Sequence, residues 1–223
     1  MRLGLRRLWS LQTLQTMSLR AVDIPNKYFE SAHAYDHGFK TAQELRKYVA
    51  DPRNDLTHEF LDYAESKGDW CYAITDGDVL ASYGWYSAHP TRFIKGLVIE
   101  VDEGDIYMYR GYTIQGYRGR RLHGFGMAQA CRAFTQKGYS RLVSYVDAKN
   151  VSSSRSAGKL GYENRACIYV LRVVGMNFVW ADYPHDRALY VRQSERDTLR
   201  KSASVGPTTR AVAGSRPSPS AAS

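Results

Sequence analysis

Residues 117–138 read YRGRRLHGFGMAQACRAFTQKG, and the rest of the chain is legible around them. An Arg-Gly pair lies among basic residues, an alanine-containing segment of helical character follows, and Gly138 closes it. Residues 106–114 (IYMYRGYTI), just before, are aromatic and β-branched enough for a strand. Residues 141–146 (RLVSYV), just after, read as a buried strand. Strand, glycine-bearing turn, helix and strand make an anion-binding unit, because the free N–H groups of a helix start converge on the turn.

The flanking sequence supplies the remaining elements. Thr41 and Glu44 form a capping-box pattern before LRKYV, and Asp55 or Thr57 caps a second helix through Phe60, Tyr63 and Ala64 that Gly68 ends. Residues 26–67 are thus expected to be helices and joins. Residues 70–75 and 79–87 read as a hairpin across Asp76-Gly77-Asp78, and residues 93–101 as a further strand after Pro90. A short helix is expected over residues 152–160 with Gly161 past its end, then strands over 166–174 and 177–181. The order predicts an α/β fold: a mixed, mostly antiparallel central sheet with helices on both faces. One domain is expected over residues 26–190, between a basic N-terminal arm (1–25) and a disordered tail (191–223), the last part of which is rich in Ser, Ala, Gly and Pro. Residues 1–20 are basic and amphipathic. They read as a surface helix, an arm on a partner subunit, a disordered end, an organellar transit peptide, or a leader made superfluous by a start at Met17.

The net charge of +9 resides in the ends. Residues 1–20 carry four arginines and no acid, residues 187–223 seven bases and two acids, and residues 21–186 twenty charges of each sign. A nucleic-acid groove in the folded body is therefore not expected. The three cysteines, Cys71, Cys131 and Cys167, have neither disulfide-scaffold nor zinc spacing and fit a reducing, cytoplasmic setting. No apolar run is long enough to cross a membrane. His33 and His37 stand four apart without a third ligand nearby, so no metal site is expected, and no Ser-His-Asp nucleophile elbow is present.

Two segments carry a family resemblance. Tyr117-Arg118-Gly119-Arg120-Arg121-Leu122-His123, with its helix ending in Gly138, resembles the acyl-CoA pyrophosphate loop of the GCN5-related N-acetyltransferases. Asn150, Ser153, Gly161 and Tyr162 resemble that superfamily's late segment. The resemblance spans about residues 70–175. Arg121 and His123 stand where the family favours small residues. A register moved to Arg121, Gly124 and Gly126 breaks the spacing to Gly138. The resemblance implies acetyl-CoA or another acyl-CoA as cosubstrate and direct acyl transfer to an amine of a small molecule or a protein. It also leaves room for a homodimer, an O-acyltransferase or aminoacyl-type transferase, or a non-catalytic binding or regulatory module.

The resemblance also implies site residues. Gly119 and the backbone of Leu122, His123 and Gly124 would cradle the diphosphate, with Arg118, Arg120 and Arg121 adding charge. Residues 107–114, ending in Tyr112, Thr113 and Ile114, would offer backbone groups to the pantetheine arm, unless the strand is an ordinary internal one with Tyr107 and Tyr109 as packing. Asn150 would bond across the sheet or to pantetheine, or simply cap the following helix. A main-chain N–H among residues 109–112 would stabilise the oxyanion. Glu100, Asp105 and His123 are the candidate bases. Ala157 occupies the family's usual tyrosine acid position, which leaves Tyr109, Tyr145 and Ser154 as replacements. The many tyrosines and tryptophans before residue 117 would wall an acceptor pocket, or form core or dimer surface.

Overall fold

The computed structural model describes residues 9–30, 35–94, 96–174, 176–182 and 189–194. Its largest feature is an eight-stranded sheet. In chain order its strands are β1 (Trp9–Leu19), β2 (Asp36–Lys40), β3 (Trp70–Asp76), β4 (Val79–Ser87), β7 (Asp105–Thr113), β8 (Arg141–Asp147), β9 (Glu163–Val173) and β10 (Met176–Asp182). They lie in the order β10-β9-β1-β8-β7-β4-β3-β2. Every neighbouring pair is antiparallel except β7 and β8, which run parallel. The remaining strands, β5 (Thr91–Arg92), β6 (Leu97–Glu100) and β11 (Tyr190–Gln193), form a separate three-stranded sheet. The expected mixed, mostly antiparallel α/β architecture is what the chain adopts.

Helix α3 (Leu122–Gln136) packs on one face of the large sheet. There Phe134, Ala130 and Cys131 meet Tyr86, Ile106 and Leu142 in a dry cluster. The opposite face is covered by α1 (Ala42–Leu45) and α2 (His58–Ser66), whose Leu45, Leu61 and Ala64 lie on Cys71, Ala73 and Trp85. The small sheet continues this layer by setting Leu97 and Ile99 against Leu14, Tyr107 and Val143. Both caps expected from sequence are made: Thr41 and Glu44 close a capping box on α1, and Thr57 accepts the Phe60 N–H of α2. The last helix, α4 (Val151–Leu160), starts at the Asn150 cap and stops at left-handed Gly161. Among the described residues no helix is long and apolar enough to cross a membrane.

Three expectations are corrected. Residues 9–19 are not an arm. They form β1, inserted between β8 and β9, with Leu14 and Leu19 wholly buried and Met17 nearly so. A start at Met17 would remove most of that strand. Residues 36–40, assigned to helices and joins, form the edge strand β2 paired with β3. The folded part extends past residue 190, because β11 pairs with β6 from Tyr190 to Gln193. Residues 1–8, His33 and the tail from residue 195 lie outside the described residues.

Candidate functional site

The parallel pair β7–β8 sets up the site. Its ladder runs only from Asp105↔Arg141 to Tyr107↔Val143. Asp105 and Arg141 pin the start with a largely buried ion pair, carboxylate to Nε at 2.8 Å. Asp105 is thus a clamp rather than a base. Ser144 Oγ donates to the Met108 carbonyl at 3.0 Å, and the strands then diverge. On the other side, β7 carries a bulge: Met108 pairs with Tyr86 and Arg110 with Trp85, so Tyr109 has no partner in the β4 ladder. A bulge frees backbone groups and turns two successive side chains to one face. Tyr109 and Arg110 accordingly both face the α2 side.

The divergence opens a cavity of about 290 Å³ under α3 and α4, lined among others by Met108, Gly111, Tyr145, His123, Ala157 and Tyr162. Gly111 is required there, because a Cβ would lie 2.2 Å from His123 Cε1 and 2.6 Å from Met108 Cε. The imidazole thus sits directly on the β7 backbone, and burial lowers its pKa from 6.5 to about 4. It is neutral at pH 7 and a weak base.

Sharing His123, Met127 and Ser156 with this cleft is a second cavity of about 390 Å³ at the start of α3. Gly119 and Arg121 both take left-handed backbone, at φ 79° and 61°. That double turn brings the first turn of α3 to the cavity, and the Arg121 side chain does not cap it. Arg118, Arg121 and Lys159 line this cavity, and no carboxylate does. Uncapped helix N–H groups and three cations suit a diphosphate, each exposed helix-terminus contact contributing roughly 0.3–1 kcal/mol.

Across the sheet, and sharing Tyr109 and Tyr145 with the cleft, lies a third cavity of about 370 Å³. Phe60, Tyr63, Phe93 and Tyr107 add aromatic walls. Behind Tyr109 is a buried polar network that nothing in the sequence singled out. Asp69, with no side-chain exposure, pairs with Lys67 Nζ at 3.2 Å and accepts from Tyr109 Oη at 3.0 Å and from Ser87 Oγ. Lys67 also donates to Thr91 Oγ1 at 2.7 Å and stands over the Tyr63 and Tyr109 rings. Burial lowers the Lys67 pKa, against the opposing pull of Asp69. Burial, with Asp69 adding to it, drives the Tyr109 phenol far above its usual value, so it remains protonated.

The residues singled out from sequence thus divide. His123, Tyr109 and Tyr145 come together around the diverging strands, and burial raises the Tyr145 pKa. Gly119, Leu122 and Gly124 form the turn and helix start, with Arg118, Arg121 and Thr113 beside them. Arg118 Nε also holds the Thr113 carbonyl at 3.2 Å. Arg120 turns away: its guanidinium donates to Tyr35 Oη at 2.9 Å and stacks on Tyr117. Tyr112 packs on Tyr83 on the far face, and the Ile114 N–H is taken by the Ala81 carbonyl. Asn150 caps α4 by accepting the Ser153 N–H at 3.1 Å. Ser154 lies outside the residues that line the cleft. Glu100 is on the small sheet, ion-paired with Arg192 at 2.6 Å. His37 bonds Tyr72 and packs edge-on against Phe125. Tyr162, seen in sequence only as part of the late segment, lines the cleft, and Lys159, Ser156 and Asp69 were missed. The helical spacing of Ser156 and Lys159 could have placed those two on one face.

No family model matches the chain, and no curated protein matches it. Solved structures do. A Drosophila protein aligns with TM-score 0.50 and 14% identity over 75% of this chain, which spans 52% of that protein's length. A GCN5-related N-acetyltransferase from Kribbella flavida aligns with TM-score 0.49 and 14% identity, covering 80% of this chain and 61% of its own. An aminoglycoside N-acetyltransferase in complex with CoA aligns with TM-score 0.46 and 15% identity over 57% of this chain and 91% of its own. Identities this low speak to fold alone.

Proposed function

We propose that the protein is an acyl-CoA-dependent N-acyltransferase of the GCN5-related type, acting in the cytoplasm. The observation that carries the reading is the course of the parallel pair. It opens after Tyr107 into a cleft that meets an acid-free basic turn at one end and an aromatic cavity on the opposite face.

In this reading the first turn of α3 receives the diphosphate with Arg118, Arg121 and Lys159. The diverging edge of β7 receives the amide-bearing arm, as a sheet edge receives an added strand. The thioester supplies an activated acyl carbon. The bulge offers the Tyr109 N–H to the oxygen that gains charge. Tyr109 and Tyr145 flank the point where the cleft and the aromatic cavity meet. Tyr109, held protonated with its hydroxyl donated to Asp69, keeps lone pairs with which to orient an incoming amine. Ala157 offers no acid in the cleft, so as the C–N bond forms and the C–S bond breaks the thiolate departs beside the hydroxyls of Tyr145, Ser156 and Tyr162 and takes up the proton that the amine loses.

Titration calorimetry with acetyl-CoA tests the reading. One site is expected. Arg118→Glu and Lys159→Glu should each weaken it about tenfold or more, the scale of one charge-assisted contact. Arg120→Glu should leave it nearly unchanged. Absence of binding, or equal effects at all three positions, would refute it.

A further inference from the structure

The aromatic cavity beyond Tyr109 and Tyr145 presents a guanidinium that no carboxylate among the described residues holds. Its lining holds two guanidiniums, Arg92 and Arg110, and one carboxylate, Glu59. Arg110 is committed: it pairs with Asp55 at 2.9 Å and lies over the Phe60 ring at 4.2 Å. Arg92 is held but not neutralised. Its guanidinium lies over the Tyr63 ring at 4.6 Å, its backbone N–H donates to Tyr63 Oη at 2.9 Å, and among the described residues it makes no ion pair. The buried Asp69 behind the wall is matched by Lys67. Arg92 and Glu59 are thus the open charges of the lining, and a carboxylate entering here would find in Arg92 a guanidinium with its hydrogen-bonding edge open.

We propose that this cavity takes a small primary amine with an aromatic body and a carboxylate at its far end, and that Arg92 selects the carboxylate. The inference rests on the acyltransferase reading for the amine's fate, and on the cavity alone for the acceptor's chemistry. The rings of Phe60, Tyr63 and Tyr107 receive the body. The amine points to Tyr109 and Tyr145, where the cleft opens. The carboxylate meets Arg92 at the rim.

Three matched acceptors test this with acetyl-CoA: 4-(aminomethyl)benzoate, benzylamine and 1,4-bis(aminomethyl)benzene. The kcat/KM for the first should exceed that for each of the other two by about tenfold, the scale of one charge-assisted pair. Arg92→Ala should lower the ratio of the kcat/KM for 4-(aminomethyl)benzoate to that for benzylamine about tenfold, and Arg92→Glu should reverse the preference between the benzoate and the diamine. Equal rates for all three, preference for the diamine by the unaltered protein, or an unchanged ratio in Arg92→Ala would overturn the proposal. Calorimetric titration of 4-(acetamidomethyl)benzoate without acetyl-CoA reads the cavity independently of catalysis. Binding weakened in Arg92→Ala supports the proposal, and no binding to the unaltered protein overturns it. Failure of acetyl-CoA itself to bind would overturn the acyltransferase reading and leave this titration intact.

Discussion

A methyl group placed at Gly111 tests the cleft most directly. In Gly111→Ala the new Cβ would lie 2.2 Å from His123 Cε1 and 2.6 Å from Met108 Cε, both closer than any real contact. Met108 can turn its terminal methyl aside. The imidazole is a rigid ring on the first turn of α3, so it must rotate towards the diphosphate turn or push the helix from the sheet. Overpacking of this kind costs about 1–3 kcal/mol. The displaced ring would enter the space that cleft and turn share, so acetyl-CoA affinity should fall about tenfold or more, equivalent to about 1.4 kcal/mol. Urea unfolding and titration calorimetry measure the two effects. His123→Ala in the same background removes the obstacle, and the double-mutant cycle should show a favourable coupling of about 1 kcal/mol or more. An unaffected Gly111→Ala protein, or strict additivity with His123→Ala, would refute the packing that defines this cleft.

Two further outcomes are expected. With a folded pKa of about 4 against 6.5 unfolded, the unfolded state binds the His123 proton first as pH falls, so stability is lost between pH 6.5 and 4. The loss amounts to about 3 kcal/mol, and His123→Gln should flatten that part of a stability–pH curve measured by urea unfolding. Deleting residues 1–16 removes most of β1 and should abolish cooperative thermal unfolding by circular dichroism. A cooperative transition near that of the full chain would mean β1 is dispensable.

The elements most legible in the sequence were those with local signals. Thr41 with Glu44, Thr57, the Asp76-Gly77-Asp78 turn and Gly161 each impose a short-range geometry that little else in the chain can override. β1 was not legible, because both its faces are covered from Thr16 onward. Thr16, Met17, Ser18 and Leu19 are all buried, so the strand shows no alternation, and Leu11, Leu14 and Met17 mimic a helical stripe. β2 (DHGFK) has no apolar pattern, and its pairing with β3 is what makes it a strand. In the site, the turn and the strand opening were visible as motifs. The direction of each arginine was not: Arg120 is drawn off by Tyr35 and Tyr117, partners that a local pattern does not reveal. Asp69, beside Gly68, reads as an ordinary turn residue until tertiary packing buries it against Lys67 and Tyr109.

The insertion of β1 between β8 and β9 also bears on how the chain is made. Its partners run from Leu142 to Val173, more than 100 residues downstream. During synthesis this segment leaves the ribosome early and waits, its apolar side chains unmatched, while β2 to β7 and α3 emerge. Closing so large a loop is slow, and the interval exposes a sticky segment. Zipping β1 into its slot would therefore be the late, committing event of assembly, and a holding chaperone would find its client in β1 until β8 and β9 emerge.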